Sequence, residues 1–215
     1  MSESQFRRYT TLPYLLDILQ TNKIPLLDPA RWEDKNDSRY LKIFKGKKGL
    51  KSVLAICFAD APETYPHWKI YAGNSSGVCI EFYKERIIHK VGTKKGFVQG
   101  SIKYALLETL RNKTPAIDDL PFIKRFAYLD EKEYRIIFTS KEEKDIEYIY
   151  IDPEDVKEIV NNPWVEPPVY QSMKNAITKA KGWEKVKIRR STVTKNDAWG
   201  KIGEKAVKGE RRYGR

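Results

Sequence analysis

Residues 52–82 read SVLAICFADAPETYPHWKIYAGNSSGVCIEF, and the fold prediction starts from this stretch. The apolar run at 52–59 predicts a buried strand, and residues 78–82 predict a second one. Residues 62–72 between them are typical of a short helix, and residues 73–77 of a turn. A strand, a helix and another strand therefore follow one another with no Gly/Ser-rich linker to separate domains.

The rest of the chain continues this mixture of strands and helices. Leucines at 12, 15, 16 and 19 share one face of a helix predicted at 12–20. The other predicted helices are at 105–111, 118–128 and 168–181. The other predicted strands are at 6–10, 24–27, 97–104, 133–139, 147–151 and 185–190, with those at 133–139 and 147–151 paired as a late hairpin. No βαβ period repeats, so we expect an α+β domain with a single mixed or antiparallel sheet.

The positive charge is concentrated at the carboxyl end. The formal net charge is +12, and residues 174–215 hold 14 basic and 4 acidic residues, against 27 and 25 in residues 1–173. We therefore divide the chain into a domain at 1–173 and a basic segment at 174–215. Such a segment suits a polyanion, most plausibly nucleic acid, with four candidate contacts: Lys185, Lys187, Arg189 and Arg190. A solubilising surface or a fraying tail is an equally weighted alternative.

Several function classes have no support in the sequence. No apolar run of about 18 residues and no secretory h-region are present, which predicts a cytoplasmic protein without a membrane partner. Cys57 and Cys79 are too few for a disulfide framework and are interpreted as reduced thiols on strands. The chain lacks the P-loop, GxGxxG, CxxC and HExxH motifs, and no metal is expected.

Two acidic or basic segments near the amino end are candidate site elements. Arg8 and Tyr9 lie on the first predicted strand, where basic side chains can hold a phosphate or ribose. An exposed edge strand is the structural alternative. The loop at 32–37 contains Asp34 and Asp37, which can bind a metal or orient a ribose, or more simply cap the next helix.

Two further candidates come from residues 67–77. Trp68 and Tyr71 are three residues apart on one helix face and can stack on a flat ring, although such pairs more often belong to a core. Ser75 and Ser76 enter the strand at 78–82 and can support a site from the turn, whereas a plain glycine turn is the alternative.

Glu131 and Glu133 form the strongest candidate for chemistry. Residues two apart on a strand share a face, so two carboxylates there repel one another unless a cation or hydroxyl relieves them. Such a cost is tolerated mostly at functional sites, although a solvated strand end also permits it.

These segments, taken in order, resemble a bacterial and phage family of unknown function. The matching features cover most of the chain: Arg8–Tyr9, the leucine-rich helix and following Ile24, the loop at 32–37, the block at 57–82, the strand at 131–137, and Arg189–Arg190–Ser191–Thr192 followed by Trp199. The resemblance implies no established activity.

A second, functional resemblance is to the Arg–Ser–Glu type of ADP-ribosyltransferase. It implies that Arg8, with Tyr9, binds the NAD phosphates or ribose and that Ser75 or Ser76 supports the site. Glu133 then bonds the nicotinamide ribose, Glu131 orients the acceptor, and Trp68 or Tyr71 flanks the nicotinamide. The chain departs from that superfamily in having Asn-Ser-Ser-Gly where an aromatic-Ser-Thr-Ser strand is usual.

The leading hypothesis is an ADP-ribosyltransferase-like toxin or phage-conflict effector. It would use NAD as substrate, without a metal, on a nucleic-acid acceptor, with an antitoxin or regulator as a possible partner. Three alternatives stay open: a non-catalytic nucleic-acid-binding protein, an inactive member of the fold, and a metal-dependent nuclease using Asp34, Asp37, Glu131 and Glu133.

Overall fold

A computed structural model describes residues 4–73 and 76–213, with side chains described up to residue 206. The strands in this part are β1 (Gln5–Thr11), β2 (Lys23–Leu26), β3 (Ser52–Ala59), β4 (Gly77–Tyr83), β5 (Phe97–Ser101), β6 (Lys103–Ala105), β7 (Ile123–Arg125), β8 (Glu133–Ser140), β9 (Glu147–Tyr150), β10 (Val156–Asn161) and β11 (Lys187–Arg190). The helices are α1 (Leu12–Thr21), α2 (Lys35–Lys47), α3 (Tyr65–Tyr71), α4 (Lys84–Gly92), α5 (Leu107–Asn112), α6 (Pro167–Thr178) and α7 (Asp197–Tyr213).

One seven-stranded sheet organises the domain, in the order β11-β10-β4-β1-β3-β8-β5. Only β10 and β11 run parallel in it, and the other neighbours are antiparallel. Two-stranded sheets β2-β9 and β6-β7 lie outside it. The predicted α+β class with a mixed, mainly antiparallel sheet is confirmed.

Helices cover the sheet on both sides, which explains why β3 is buried along almost its whole length. Side chains of α1, α4 and α6 pack with the main core, which includes Phe6, Ile80 and Phe138. Helices α2 and α3 contribute to two smaller clusters built on the opposite face. A strand covered on both sides becomes a continuous apolar run, as the sequence at 52–59 shows.

The sheet opens between its two central strands. Strand β1 pairs with β4 along its full length, and β3 pairs with β8 in the same way. By contrast, β1 and β3 are joined at a single residue pair, Arg7 with Ala59. The guanidinium of Arg8 reaches across the opening and donates to the carbonyl of Cys57 at 3.1 Å. Divergence of two central strands leaves space for a cavity between them.

The structure corrects two predictions of local structure and contains a helix, α2, that the sequence did not indicate. The prediction that strands 133–139 and 147–151 form a hairpin is wrong, because β8 pairs with β3 and β5 while β9 pairs with β2. The predicted helix at 118–128 consists of two 3₁₀ turns separated by β7. Helix α2 was missed because its sequence is mostly polar; it begins where the Asp34 side chain accepts hydrogen bonds from the backbone N–H groups of Asn36 and Asp37.

The carboxyl-terminal segment packs into the domain before it leaves it. Ile177 and Trp183 are fully buried in the main core, and β11 extends the sheet beside β10. Only after β11 does the chain reach helix α7, whose side chains at 197–206 are exposed. No helix in the described ranges is both long and apolar enough to cross a lipid bilayer.

Candidate active site

A cavity of about 620 Å³ occupies the place where β1 and β3 separate. Its walls come from these two strands, from α3, from residues 31–37, and from the segment that leads into β8. It brings together five side chains that the sequence predicted for the site: Arg8, Tyr9, Tyr71, Glu131 and Glu133. The cavity therefore joins residues that are up to 125 positions apart in the sequence.

Glu133 begins β8 and lies at the buried side of the cavity, with 6 % of its surface exposed. Its Oε1 accepts a hydrogen bond from Arg135 Nε at 2.7 Å, and its Oε2 lies 3.3 Å from Lys124 Nζ. Burial alone raises the pKa of a carboxyl group, but Arg135 and Lys124 outweigh that effect and lower the pKa of Glu133 to about 2. The cavity therefore contains a carboxylate that stays ionised at any physiological pH.

Arg135 holds this carboxylate in place and was not predicted as a site residue. Its side chain is fully buried, and its two terminal nitrogens donate to both oxygens of Asp37 at 3.0 and 2.6 Å. It also donates to the carbonyl of Pro121 at 2.8 Å. The alternation of β8 places Arg135 on the same side as Glu133, which is a signal the sequence contains. That its partner is Asp37, 98 positions away, is visible only in the structure.

Glu131 lines the same cavity, but it lies on a different structural element from the strand that was predicted. It ends the 3₁₀ turn Phe126–Glu131, and Lys132 after it has a left-handed backbone with φ 44°. Glu131 therefore precedes β8, and its position does not come from strand alternation with Glu133. Its oxygens accept from Tyr71 Oη at 2.6 Å and from Lys124 Nζ at 2.5 Å. Burial raises the pKa of Glu131, and these two donors act against that shift without cancelling it.

His67 connects α3 to this acidic pair. Its Nε2 lies 3.0 Å from the backbone carbonyl of Glu131, and its Nδ1 lies 2.5 Å from the hydroxyl of Thr64. Because a carbonyl only accepts, Nε2 carries the hydrogen and Nδ1 accepts from Thr64. The imidazole also stacks on the ring of Tyr9, with centroids 5.4 Å apart. His67 thus fixes the backbone of Glu131 and supports one wall of the cavity.

Trp68 and Ser76 are not brought to the cavity. The ring of Trp68 is fully buried, lies edge-on to Tyr9 and donates from Nε1 to Glu63 at 2.8 Å. The prediction that Trp68 stacks on a ligand is wrong, because the helix face that carries it packs against the sheet. Ser76 does not line the cavity, and Ser75 lies outside the described residues.

The predicted basic edge at the carboxyl end is partly neutralised. Arg189 donates to Glu158 at 2.8 Å and to Glu63 at 3.0 Å, and Lys187 lies 2.9 Å from Glu158. Arg190 donates to the carbonyl of Pro163, and Lys185 is exposed. These contacts pair part of the positive charge that the sequence analysis assigned to nucleic-acid binding, because β11 packs beside the acidic side chains of neighbouring elements.

The carboxylates named for the nuclease alternative have other partners. Asp34 caps α2, and Asp37 and Glu133 share Arg135. Within residues 4–73 and 76–213, no group of three or more His, Cys, Asp or Glu side chains has an arrangement suited to a metal ion. The nuclease alternative therefore has no ligand set in the described part of the chain.

Comparison with known proteins gives no matching family model and no matching curated sequence, so the resemblance to the bacterial and phage family has no counterpart there. Three solved structures that align with the chain are of DarT from Thermus sp. 2.9. The complex with NAD⁺ is 11 % identical with a TM-score of 0.46, and the alignment covers 89 % of this chain and 96 % of that one. The complex with ADP-ribosylated ssDNA is 12 % identical with a TM-score of 0.47, covering 88 % and 94 %. The complex with carba-NAD⁺ is 11 % identical with a TM-score of 0.44, covering 89 % and 97 %.

Proposed function

We propose that the chain is an NAD-dependent ADP-ribosyltransferase that modifies a nucleic-acid acceptor. The observation that carries this proposal is the buried, ionised Glu133 beside Glu131 in a cavity whose other wall holds Arg8. The reaction transfers ADP-ribose from NAD to the acceptor and releases nicotinamide and one proton.

Glu133 is suited to the bond-breaking step. When the bond between C1′ of the ribose and nicotinamide breaks, its electron pair leaves with nicotinamide and the sugar becomes oxocarbenium-like. A fixed negative charge close to that sugar stabilises the developing positive charge, and one carboxylate oxygen can also accept from the ribose 2′-hydroxyl. Arg135 and Lys124 occupy only part of the acceptor capacity of Glu133, since a carboxylate has about four lone-pair positions.

Glu131 is suited to the acceptor step. Its raised pKa makes it a better proton acceptor than an exposed glutamate while leaving it able to ionise. The acceptor atom forms the new bond to C1′ and gives up its proton to Glu131, which balances the reaction. Tyr71 is 41 % exposed and lines the cavity, so its ring can flank the nicotinamide where Trp68 cannot.

The distribution of positive charge bears on which acceptor the protein would modify and on its biological role. A net charge of +12, concentrated after residue 173, favours a polyanionic acceptor such as DNA or RNA. The exposed lysines 195, 201 and 205 near and on α7 extend this basic surface beyond the paired residues of β11. A nucleic-acid-modifying transferase would act as a toxin or phage-conflict effector, with an antitoxin or regulator as its partner.

Incubation with radiolabelled NAD tests the function directly. We expect label in single-stranded or double-stranded DNA or in RNA, together with release of nicotinamide, and no label in a general protein acceptor. No transfer and no NAD turnover with any acceptor would refute the proposal, and label in protein alone would refute the nucleic-acid acceptor.

Tyr71→Phe tests the role of Glu131. The substitution removes a donor that lowers the pKa of Glu131, so that pKa should rise. Since transfer needs ionised Glu131, the acidic limb of the pH–rate profile should move to higher pH, with a loss of about ten-fold or less at pH 6. Tyr150→Phe, at an exposed tyrosine on β9, is the matched control. An unshifted profile would contradict proton transfer to Glu131.

A further inference from the structure

We propose that residues 31–34 form a nucleotide-binding loop, in which Arg31 binds a diphosphate and Asp34 accepts from a hydroxyl group of the attached sugar. This deepens the proposed function by assigning the half of the ligand that lies away from the acidic pair. The sequence patterns assigned no role to Arg31, and for Asp34 they left a metal, a ribose or a helix cap open.

The cationic side chains on the cavity wall differ in whether they are ion-paired. Five cationic side chains line the cavity, and three of them are ion-paired with buried carboxylates: Arg7 with Glu81, and Lys124 and Arg135 with the acidic cluster. In the part of the chain that the structure describes, the side chain of Arg8 donates only to a carbonyl, that of Cys57. The guanidinium of Arg31 has no hydrogen bond or ion pair to any residue in the described ranges. Within the described residues, neither Arg8 nor Arg31 forms an ion pair with a carboxylate.

Arg8 shows why an anion is favoured there. Burial lowers the pKa of its guanidinium, since removing a charge from water is costly, and the nearby Glu133 opposes that effect only in part. A carbonyl dipole does not neutralise a full charge. A diphosphate carries two negative charges and presents several acceptor oxygens, so it matches the two guanidinium groups in charge and in hydrogen bonding.

The backbone at Arg31 is fixed from both sides. The 3₁₀ turn Pro29–Arg31 begins with a buried proline, and Asp28 caps it by accepting from the N–H of Ala30 at 2.8 Å. The N–H of Trp32 closes the turn on the carbonyl of Pro29 at 3.0 Å. Because the backbone is set before a ligand arrives, only the side chain of Arg31 is ordered on binding, which limits the entropy lost.

Asp34 supplies an independent observation that points to a ligand. Its Oδ1 accepts from the N–H of Asn36 at 2.9 Å as the cap of α2. Its Oδ2 is buried and has no hydrogen-bond partner, while Asp34 lines the cavity. A buried carboxylate oxygen without a donor is costly, and a ligand hydroxyl would satisfy it. The α-carbons of Arg31 and Asp34 are at most about 11 Å apart, within reach of one nucleotide.

Binding of ADP and inorganic pyrophosphate, measured by titration calorimetry, tests the two residues separately. Arg31→Gln should weaken both ligands by about ten-fold, the effect of losing one charge-assisted contact of about 1.4 kcal/mol. Asp34→Asn keeps the Oδ1 cap but replaces the orphan acceptor by a donor, so it should weaken ADP and leave pyrophosphate unchanged. Arg39→Gln, at an exposed arginine of α2 that does not line the cavity, makes the same change of charge as the control.

The outcomes separate this inference from the function on which it rests. If the unmodified protein binds ADP and Arg31→Gln binds it equally well, the loop assignment is wrong and the transferase proposal stands. If Arg31→Gln and Arg39→Gln weaken binding equally, the effect is general charge and the assignment is also wrong. If the unmodified protein binds neither ADP nor NAD, the proposed function itself fails.

Discussion

Glu133→Gln should reduce NAD turnover by a factor of about 10² to 10³, while the affinity for NAD changes little. The substitution preserves the shape of the side chain and removes the fixed negative charge. That charge interacts most strongly with the oxocarbenium-like sugar, which exists only as the nicotinamide bond breaks. The measurement is kcat and KM for nicotinamide release, with NAD binding determined separately by calorimetry.

Two controls make this result specific. Glu142→Gln, at an exposed glutamate after β8, should leave turnover unchanged. Thermal unfolding of Glu133→Gln should show that the domain still folds, since Arg135 retains Asp37 as its bidentate partner. Undiminished turnover in Glu133→Gln would remove Glu133 from the mechanism even if the protein proves to be a transferase.

The strands of the central sheet could be predicted from sequence because burial on both faces leaves a direct mark. Residues 52–59 are almost all apolar, and the structure begins and ends β3 at those positions. The strand that starts at Glu133 was predicted for the same reason, to within a residue or two. The first strand was predicted equally closely, although only Phe6 and Tyr9 are buried in it. Pairing was harder, because β9 joins β2 across more than 120 positions, where no local pattern records the partner.

The site was predictable only where one residue carries its own signal. The acidic pair was recognised because two nearby carboxylates are unusual, yet Lys132 in a left-handed conformation places Glu131 before the strand. Trp68 and Tyr71 share a helical spacing, which cannot distinguish the ring that enters the core from the ring that reaches the cavity. An arginine in a strand is typical of an exposed position, so the complete burial of Arg135 depends on Asp37, which α2 supplies from a distant part of the chain.

Arg135→Met should lower the free energy of unfolding by about 3–5 kcal/mol, the largest effect on stability that we expect for one substitution in this site. Methionine fills much of the same space but leaves Asp37 and Glu133 buried without their shared cation. Lys124 remains 3.3 Å from Glu133 and 3.8 Å from Asp37, so it compensates only in part. Urea denaturation at pH 7 measures the change.

The free energy of unfolding of Arg135→Met should increase as the pH falls, because the variant contains a buried, unpaired carboxylate. Burial raises the pKa of Asp37 above its ordinary value even in the presence of Arg135, and without Arg135 it should rise further. A group with a higher pKa in the folded state binds protons on folding, so the variant should gain stability as pH falls from 8 to 5. In the unmodified protein Glu133 has the opposite effect, because its pKa is depressed to about 2 and its contribution is lost as the pH falls from about 4.5 toward 2.

The double variant Arg135→Met, Asp37→Leu distinguishes charge from packing. It removes one of the two carboxylates that lose Arg135 and leaves Glu133 with Lys124, so it should recover part of the lost stability and lose the part of the pH dependence between 8 and 5 that comes from Asp37. If the double variant is instead as unstable as Arg135→Met, the cost arises from Glu133, from the lost hydrogen bond to Pro121 and from packing around the guanidinium. That outcome would contradict the expectation that the unpaired charge of Asp37 is a main cost of losing Arg135.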